Sequence, residues 1–336
     1  MSQELDLLVA RGEHARTMWY RHTDLPLVHG RFMEAVDGSV DEYVRRRLVL
    51  GEVEEQRPLV LLVSPARSAS SSLLTAMSLS AVPTQLSHEE LTTLASLHIY
   101  QPIKYLLRRG SGVLDSQSHE VEFPTSDRIV IPQRAPGRLA NRPVVQKEVC
   151  GPYAPLEVFD PVSLMLRAGQ SKDRIHAVYL FRRPDHCWES WQRTFGSYTS
   201  RSLFVSAYRA IHQQYCTFRE SLRSVHAVVS EALGPGVQRD LLARLMPAIG
   251  IPYSPEAVSW DSSPYFREST VTRPVTPMRF RIGEFAKHRR RGRLSYRTHD
   301  PCAISRGDRQ YLSRNGLWDI YESVVADMGQ RFDIAL

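Results

Sequence analysis

The chain has 336 residues, of which 42% are hydrophobic and 24% are charged, a composition typical of a globular protein with a substantial core. Its longest apolar runs fall far short of the about 20 residues that a membrane-spanning helix needs, so we expect no membrane partner. The N-terminal residues lack the basic-then-apolar arrangement of a secretory signal, and a cytoplasmic location is the expectation.

The basic residues and the cysteines limit the partners and cofactors. The formal net charge is +7, and all but four of the 43 basic residues are arginine, which favours bidentate contacts with phosphate but also follows from genomic base composition. Nucleic acid is an unlikely partner, because no aromatic-interleaved recognition motif accompanies the basic run 288–293. The four cysteines, Cys150, Cys187, Cys216 and Cys302, have no zinc-ligand spacing, so we expect reduced thiols and no metal.

The first part of the chain divides into two regions. Residues 1–56 are predicted to form a mostly helical N-terminal extension that carries no recognisable chemistry. An α/β domain is predicted over residues 57–336. It opens with a strand over Leu59–Val63, a short β-branched-rich run bounded by turn residues, and continues with a helix over residues 70–80.

Strand and helix alternate through the rest of this domain. Helical turns are predicted over residues 89–108, and residues 110–142 are predicted to be a substrate-facing loop or lid, because glycine and proline interrupt every candidate helix there. The later predicted elements are the strands 144–146, 176–181 and 225–229 and the helices 155–168, 185–195, 202–222 and 237–249. This alternation predicts a three-layer α/β/α fold with a central parallel sheet.

The serine-rich turn, residues 64–72, joins the first strand of this domain to its first helix. Amides at the start of a helix attract anions, and this turn adds the charge of Arg67 and the hydroxyls of Ser68, Ser70, Ser71 and Ser72. The alternative is a generic serine cap. A cap needs one hydroxyl, whereas this turn has four and an arginine. The pattern therefore favours a site for phosphate or sulfate.

Two further strands also end in basic residues. Lys147 follows the strand 144–146, and Arg182 follows the strand 176–181. Ligands gather at the carboxyl ends of the strands in open parallel sheets. We therefore expect the serine-rich turn, Lys147 and Arg182 to converge on one polyanion.

These segments resemble PAPS-dependent sulfotransferases (PAPS is 3′-phosphoadenosine 5′-phosphosulfate). SPARSASSSLL, residues 64–74, resembles the family's 5′-phosphosulfate loop. YLFRRPDHCWES, residues 179–190, resembles its 3′-phosphate motif, in which a strand ends in Arg-x-Pro and a serine follows eight residues after the arginine, as Ser190 follows Arg182. VVQKEV, AVVSEAL and LLARLMPAIGIPYSPE are further matches, and MRFRIGEFAKH loosely resembles the late loop that closes over the nucleotide. The resemblance spans roughly residues 57–260.

The resemblance implies the P-loop NTPase-like sulfotransferase fold and transfer of a sulfuryl group from PAPS to a hydroxyl or amine of a small-molecule acceptor, with PAP as product and no metal. Arg67 would stabilise charge on the transferred group, with help from Lys147, and Arg182 and Ser190 would hold the 3′-phosphate. The implied nucleotide-binding residues are Arg67, Ser68, Ala69, Ser70, Ser71, Ser72, Arg182, Ser190, Arg281 and Gly283.

The catalytic base is open among four residues. His88, Glu89 and Glu90 lie in the region where several branches of the family carry a catalytic glutamate, and Glu148 is beside Lys147, where other branches place a base. We rank the two glutamates at 89 and 90 first and Glu148 last. Each of the four also fits an ordinary surface residue.

The chain departs from the family at two positions. Ala69 replaces the usual glycine, and it would be strained if that site needs a positive φ. Arg183 replaces a frequent aspartate and would add positive charge near the 3′-phosphate. A Walker A motif is absent, since the turn has neither its glycine nor its lysine, which argues against an ATP- or GTP-dependent kinase.

The alternative function is a non-catalytic module that binds a nucleotide or a sulfated ligand. Such a module would use the same crevice without a base.

Two tryptophans lie near the second motif. Trp188 and Trp191 have the spacing of one helix face, and we expect them to pack in the core. The alternative is that they form an aromatic platform for the ligand.

Overall fold

The computed structural model describes residues 48–50, 58–78, 85–88, 129–131, 143–152, 158–167, 169–196, 199–259, 270–271 and 303–336. Most of the predicted N-terminal extension, the helical turns 89–108 and most of the predicted loop 110–142 lie outside these residues. Within the described ranges, no helix is long and apolar enough to cross a membrane.

Strands and helices alternate along the described chain. The strands are β1 (Leu48–Leu50), β2 (Leu59–Pro65), β3 (Gln85–His88), β4 (Ile129–Ile131), β5 (Val144–Cys150), β6 (Ile175–Phe181), β7 (Ser224–Val229) and β8 (Thr270–Val271). The helices are α1 (Ser70–Ser78), α2 (Pro161–Arg167), α3 (Pro184–Phe195), α4 (Arg201–Phe218), α5 (Gln238–Ala248), α6 (Arg306–Arg314) and α7 (Leu317–Phe332). Short 3₁₀ turns lie at Lys172–Arg174, Ser230–Leu233 and Pro255–Ala257.

Six strands form a parallel sheet in the order β7–β6–β2–β5–β3–β8. Strand β2 is buried along its whole length, and β6 is buried at all but one residue, which explains their nearly continuous apolar sequences. After β2 the chain builds β3 and β5 on one side, and it then crosses to place β6 on the other side. The strand order therefore reverses at β2, and ligands bind at such a reversal in open α/β sheets.

Helices cover both faces of the sheet. Lys147 lies on the face that α1 covers, where its Nζ donates a hydrogen bond to Ser71 Oγ at 3.1 Å. The Tyr179 ring lies on the opposite face and contacts the Tyr215 ring of α4, with 5.9 Å between centroids. The predicted three-layer α/β/α fold with a central parallel sheet is confirmed.

The ends of α3 and α4 follow from their sequences. Pro184 lies in the first turn of α3, where its missing N–H costs nothing. Gly196 follows the helix with a φ of 53°, a conformation that glycine adopts readily. Ser200 caps α4, because its side chain accepts a hydrogen bond from the amide of Leu203 at 3.1 Å.

A second, two-stranded sheet contains two strands that the sequence analysis does not predict. Strands β1 and β4 pair in parallel, with Leu48 opposite Ile129 and Leu50 opposite Ile131. Residues 48–50 are therefore strand, although helix is predicted for most of 1–56, and residues 129–131 are strand within the predicted loop 110–142. Both runs are short and apolar, and short apolar runs do not distinguish strand from helix without their partner.

Candidate anion-binding site

The backbone of the serine-rich turn alternates between left-handed and ordinary conformations. Arg67 and Ala69 have φ values of 67° and 61°, whereas Ser68 between them has a negative φ. An alternation of this kind turns successive amides toward one side of the chain, which creates an anion-binding concavity. Ala69 is therefore in the left-handed region, and the expected strain at the family's glycine position is confirmed.

Hydrogen bonds of the backbone fix both ends of the turn. The amide of Ala66 donates to Cys150 O at 3.0 Å, and the Ala69 carbonyl accepts from Ser72 N and Leu73 N at 2.9 and 3.2 Å. No backbone carbonyl of the described residues accepts a hydrogen bond from the amides of residues 68–71. These amides open α1, where the helix dipole favours negative charge.

The two predicted phosphate motifs are in direct contact. Arg67 Nε donates a hydrogen bond to Ser190 Oγ at 3.2 Å, although the two residues are 123 positions apart. Arg182 NH1 donates to the Arg67 carbonyl at 3.0 Å. Arg182 is 8% exposed and Ser190 2% exposed, whereas Arg67 is exposed. The carboxyl end of β2 therefore brings together two arginines that the sequence places far apart.

Lys147 extends this basic site from the other side of β2. The sequence predicts that Lys147 ends its strand, but β5 continues to Cys150, so Lys147 lies in mid-strand, level with Leu62. Its side chain is 3% exposed and reaches Ser71 at the start of α1. The cation therefore lies under the first turn of the helix rather than at the sheet edge.

The Arg183 side chain is paired within the protein. Its guanidinium forms a two-point ion pair with Asp185, with N–O distances of 2.8 and 3.2 Å, and also contacts His186 Nε2 at 2.5 Å. Asp185 is 1% exposed and accepts a second contact from Arg309 at 3.4 Å. Asp185, two residues further along the chain, is therefore shared by two arginines, and it offsets part of the positive charge that Arg183 adds.

Helix α3 supports the turn from beneath. Trp191 is fully buried, and its Nε1 donates a hydrogen bond to Ala66 O at 2.5 Å. Trp188 is 3% exposed and packs against Phe204, with ring centroids 5.4 Å apart. The expected core packing of both tryptophans is confirmed. The Trp191 ring also leaves no space for a side chain at Gly151, where an added Cβ would lie 2.4 Å from it.

Cys187 is a structural part of the same support. Its Sγ lies 3.4 Å from Ala66 O and 3.7 Å from Ser68 Oγ. Burial raises the pKa of the Cys187 thiol to about 11, although Arg182 and the hydrogen bond with Ser68 lower it in part. The thiol is therefore neutral at pH 7 and a poor nucleophile. Cys150, Cys187 and Cys216 form no disulfide within the described part of the chain, and Cys302 lies outside it.

Two of the four candidate bases lie on described strands. His88 ends β3 at the register position directly beside Lys147. Glu148 is fully buried and level with Val63 and Tyr179, on the sheet face opposite Lys147, and its Oε1 accepts a hydrogen bond from Gln146 Nε2 at 2.7 Å. Glu89 and Glu90 follow β3 and lie outside the described residues, as do Arg281, Gly283 and the basic run 288–293.

Sequence reasoning missed the residues that hold the two motifs together. Ser230 and Tyr208 bind backbone carbonyls of these motifs, and Glu231 Oε1 accepts a hydrogen bond from the Arg183 amide at 3.1 Å. The segment AVVSEAL gave a signal for Ser230 and Glu231, but their bonds depend on the strand order. Among the described residues, no cluster of three or more histidine, cysteine or acidic side chains could hold a metal ion.

Comparisons with known proteins give distant similarities. No protein-family model and no curated protein matches the sequence. Among solved structures, the sulfotransferase domain of the Synechococcus PCC 7002 olefin synthase is 12% identical with a TM-score of 0.36, over 79% of this chain and 97% of that chain. Retinol dehydratase in complex with retinol and PAP is 13% identical with a TM-score of 0.33, over 84% of each chain. A complex of retinol dehydratase with androsterone and PAP has a TM-score of 0.29.

Proposed function

We propose that the chain is a sulfotransferase that moves a sulfuryl group from PAPS to a hydroxyl or amine of a small-molecule acceptor and releases PAP. The contact between the serine-rich turn and the Arg182–Ser190 motif carries this proposal. It joins two cationic subsites, as a nucleotide with phosphate groups at both its 3′ and 5′ positions requires. The proposal does not rest on the comparisons with solved structures.

The residues present fit such a nucleotide. The amides of residues 68–71 and the hydroxyls of Ser70 and Ser71 would hold the 5′-phosphosulfate, and Arg182 and Ser190 would hold the 3′-phosphate. Arg182 is nearly buried, and a buried guanidinium is a strong site for a second anion. The two subsites would therefore select PAPS over nucleotides that lack a 3′-phosphate.

Arg67 and Lys147 would act on the transferred group. In-line transfer develops charge on the equatorial sulfuryl oxygens and on the leaving phosphate, and fixed cations stabilise that charge. Lys147 Nζ lies 3.1 Å from Ser71 Oγ at the helix start, and Arg67 is exposed beside the turn. A base must also take the acceptor's proton.

Two observations support a proposal for the position of the base. Glu148 is buried on the opposite sheet face, whereas the carboxyl end of β3 lies beside Lys147. We therefore propose that the base is on the segment that starts at His88 and continues through Glu89 and Glu90. Single substitutions of these three residues by Gln would distinguish them, because loss of the base lowers kcat at saturating PAPS far more than it changes PAP affinity.

The test of the function is transfer from PAPS. The protein is incubated with PAPS and pools of phenols, alcohols and amines, and both PAP and the sulfated product are measured. Arg67→Ala should lower the transfer rate by about 100- to 1000-fold, since a donor to the developing charge is lost. The matched control is Arg314→Ala, which removes an exposed arginine of α6 and should leave transfer unchanged.

Three outcomes bear on the proposal. Acceptor-dependent formation of PAP that Arg67→Ala abolishes supports it. Tight PAP binding without transfer to any acceptor would favour the alternative, a non-catalytic nucleotide-binding module. Full transfer by the Arg67→Ala variant would show that the serine-rich turn has been assigned wrongly.

A further inference from the structure

The hydroxyl of Ser230 lies where three neighbouring strands end. Ser230 follows β7 directly and opens the 3₁₀ turn Ser230–Leu233. Its Oγ contacts the carbonyl of Ser68 in the serine-rich turn at 2.6 Å and the carbonyl of Phe181, the last residue of β6, at 2.8 Å. Because the sheet order is β7–β6–β2, one hydroxyl spans the carboxyl ends of all three strands.

The two carbonyls belong to the two anion subsites. Ser68 lies between the two left-handed residues that orient the amides of the turn. Phe181 immediately precedes Arg182, whose own carbonyl accepts a hydrogen bond from Tyr208 Oη at 2.9 Å. A shift of either carbonyl therefore moves the backbone that carries one of the subsites.

Ser230 acts on these backbones and not on a ligand. The residue is fully buried, so its hydroxyl is not presented to the crevice. The hydroxyl has one proton to donate and two carbonyl acceptors. Both carbonyls must therefore stay within hydrogen-bond distance of Ser230 Oγ if the hydroxyl is to bind both. A buried hydroxyl of this kind holds its two partners at a fixed separation.

We propose that Ser230 is a positioning residue that sets the spacing between the serine-rich turn and the Arg182–Ser190 subsite. This inference rests on the proposed function, because it assumes that one ligand occupies both subsites. A ligand that binds both subsites depends on their spacing, whereas a ligand that binds one subsite does not. The hydroxyl should therefore matter for PAP, which carries phosphates at both positions, and much less for 5′-AMP.

The experiment measures the affinities of PAP and 5′-AMP by titration calorimetry for the full chain and two variants. Ser230→Ala should weaken PAP binding by about tenfold, the effect of one buried hydrogen bond, and 5′-AMP binding by less than about threefold. The ratio of the two affinities is the readout, because a general loss of structure lowers both together.

Ser224→Ala is the matched control. Ser224 is also buried, and its Oγ donates to the carbonyl of Ala248 at 2.9 Å, but it lies at the opposite, amino end of β7. We expect this variant to lower the melting temperature about as much as Ser230→Ala does and to leave the ratio of affinities unchanged. The control therefore separates stability from spacing.

The possible failures are distinguishable. If the unsubstituted chain binds PAP no better than 5′-AMP, the proposed function is contradicted, and the role of Ser230 with it. If the unsubstituted chain prefers PAP but Ser230→Ala keeps the same ratio within twofold, only the role of Ser230 is contradicted. An equal change of the ratio in Ser224→Ala would also overturn it.

Discussion

Ala69 has a φ of 61° at the start of α1, a conformation that an alanine side chain disfavours. An L-residue other than glycine pays about 1 kcal/mol or more there. Ala69→Gly should therefore raise the free energy of unfolding by about 0.5 to 1 kcal/mol, after the larger entropy of the unfolded glycine chain is subtracted. Urea denaturation of the two proteins at pH 7 measures this difference.

Ala66→Gly is the control for that substitution. Ala66 lies three residues earlier, is 3% exposed and has a negative φ. Glycine there removes a buried methyl group and relieves no strain, so the variant should be less stable by about 1 kcal/mol. If both glycine variants lost stability, the strain assigned to Ala69 would be wrong.

At the scale of the elements, helix α7 and strand β7 are joined through His226. His226 Nδ1 lies 3.1 Å from Arg331 NH1 of α7, and its Nε2 lies 3.2 Å from Ser224 Oγ. A guanidinium only donates, so Nδ1 must accept, and the imidazole is neutral. Burial and the Arg331 guanidinium lower the pKa of His226 to about 4.

This lowered pKa predicts a loss of stability in mild acid. In the unfolded chain the pKa of histidine is about 6.5, so as the pH falls from about 6.5 to about 4 the unfolded state takes up a proton that the folded state does not. The stabilisation that comes from the lowered pKa of His226 is fully present above pH 7. By pH 4 the free energy of unfolding has fallen by about 3 kcal/mol as this stabilisation is lost. Urea denaturation at pH 7.0, 6.0 and 5.0 measures the trend.

His226→Gln is the variant that isolates this effect. Burial and nearby arginines also lower the pKa values of His176 and His212, and both groups add a change of the same sign. The variant should therefore keep part of the acid sensitivity and lose the part that belongs to His226. A stability curve as steep as that of the unsubstituted chain would contradict the assignment.

The sequence predicts elements far better than it predicts contacts between them. The strand–turn–helix pattern around the serine-rich turn is local, and β2 and α1 form where they are expected. The distance from Arg67 to Ser190 depends on β6 lying beside β2, which no local pattern specifies. The Arg183–Asp185 ion pair spans only two residues, but Asp185 takes its second contact from Arg309 of α6, which no local pattern specifies either.

The positions of some site residues could be assigned only once the pairing of the strands was known. Lys147 and Glu148 are adjacent in sequence, and only the strand assignment shows that their side chains lie on opposite faces. Ser230 had a sequence signal in AVVSEAL, but its two partners come from β6 and from the turn after β2. Residues that are distant in sequence meet at the carboxyl ends of parallel strands because of the strand order, which composition does not predict.

On the scale of the whole molecule, two motifs that lie 123 positions apart are in contact, and we propose that they form one site with two cationic subsites. This site is the central claim. Binding of PAP and of 5′-AMP, compared by calorimetry, tests it most directly, because the two nucleotides differ at the 3′-phosphate. Arg182→Ala removes the guanidinium proposed to bind that phosphate. Arg331→Ala is the control, since it removes an arginine that donates to Val225 O at the amino end of β7.

The unsubstituted chain should bind PAP about 100-fold more tightly than 5′-AMP, as two hydrogen bonds to a charged group would give. Arg182→Ala should remove most of this preference, and Arg331→Ala should keep it. Equal affinities for the two nucleotides in the unsubstituted chain, or a preference for PAP that survives Arg182→Ala, would contradict the two-subsite account.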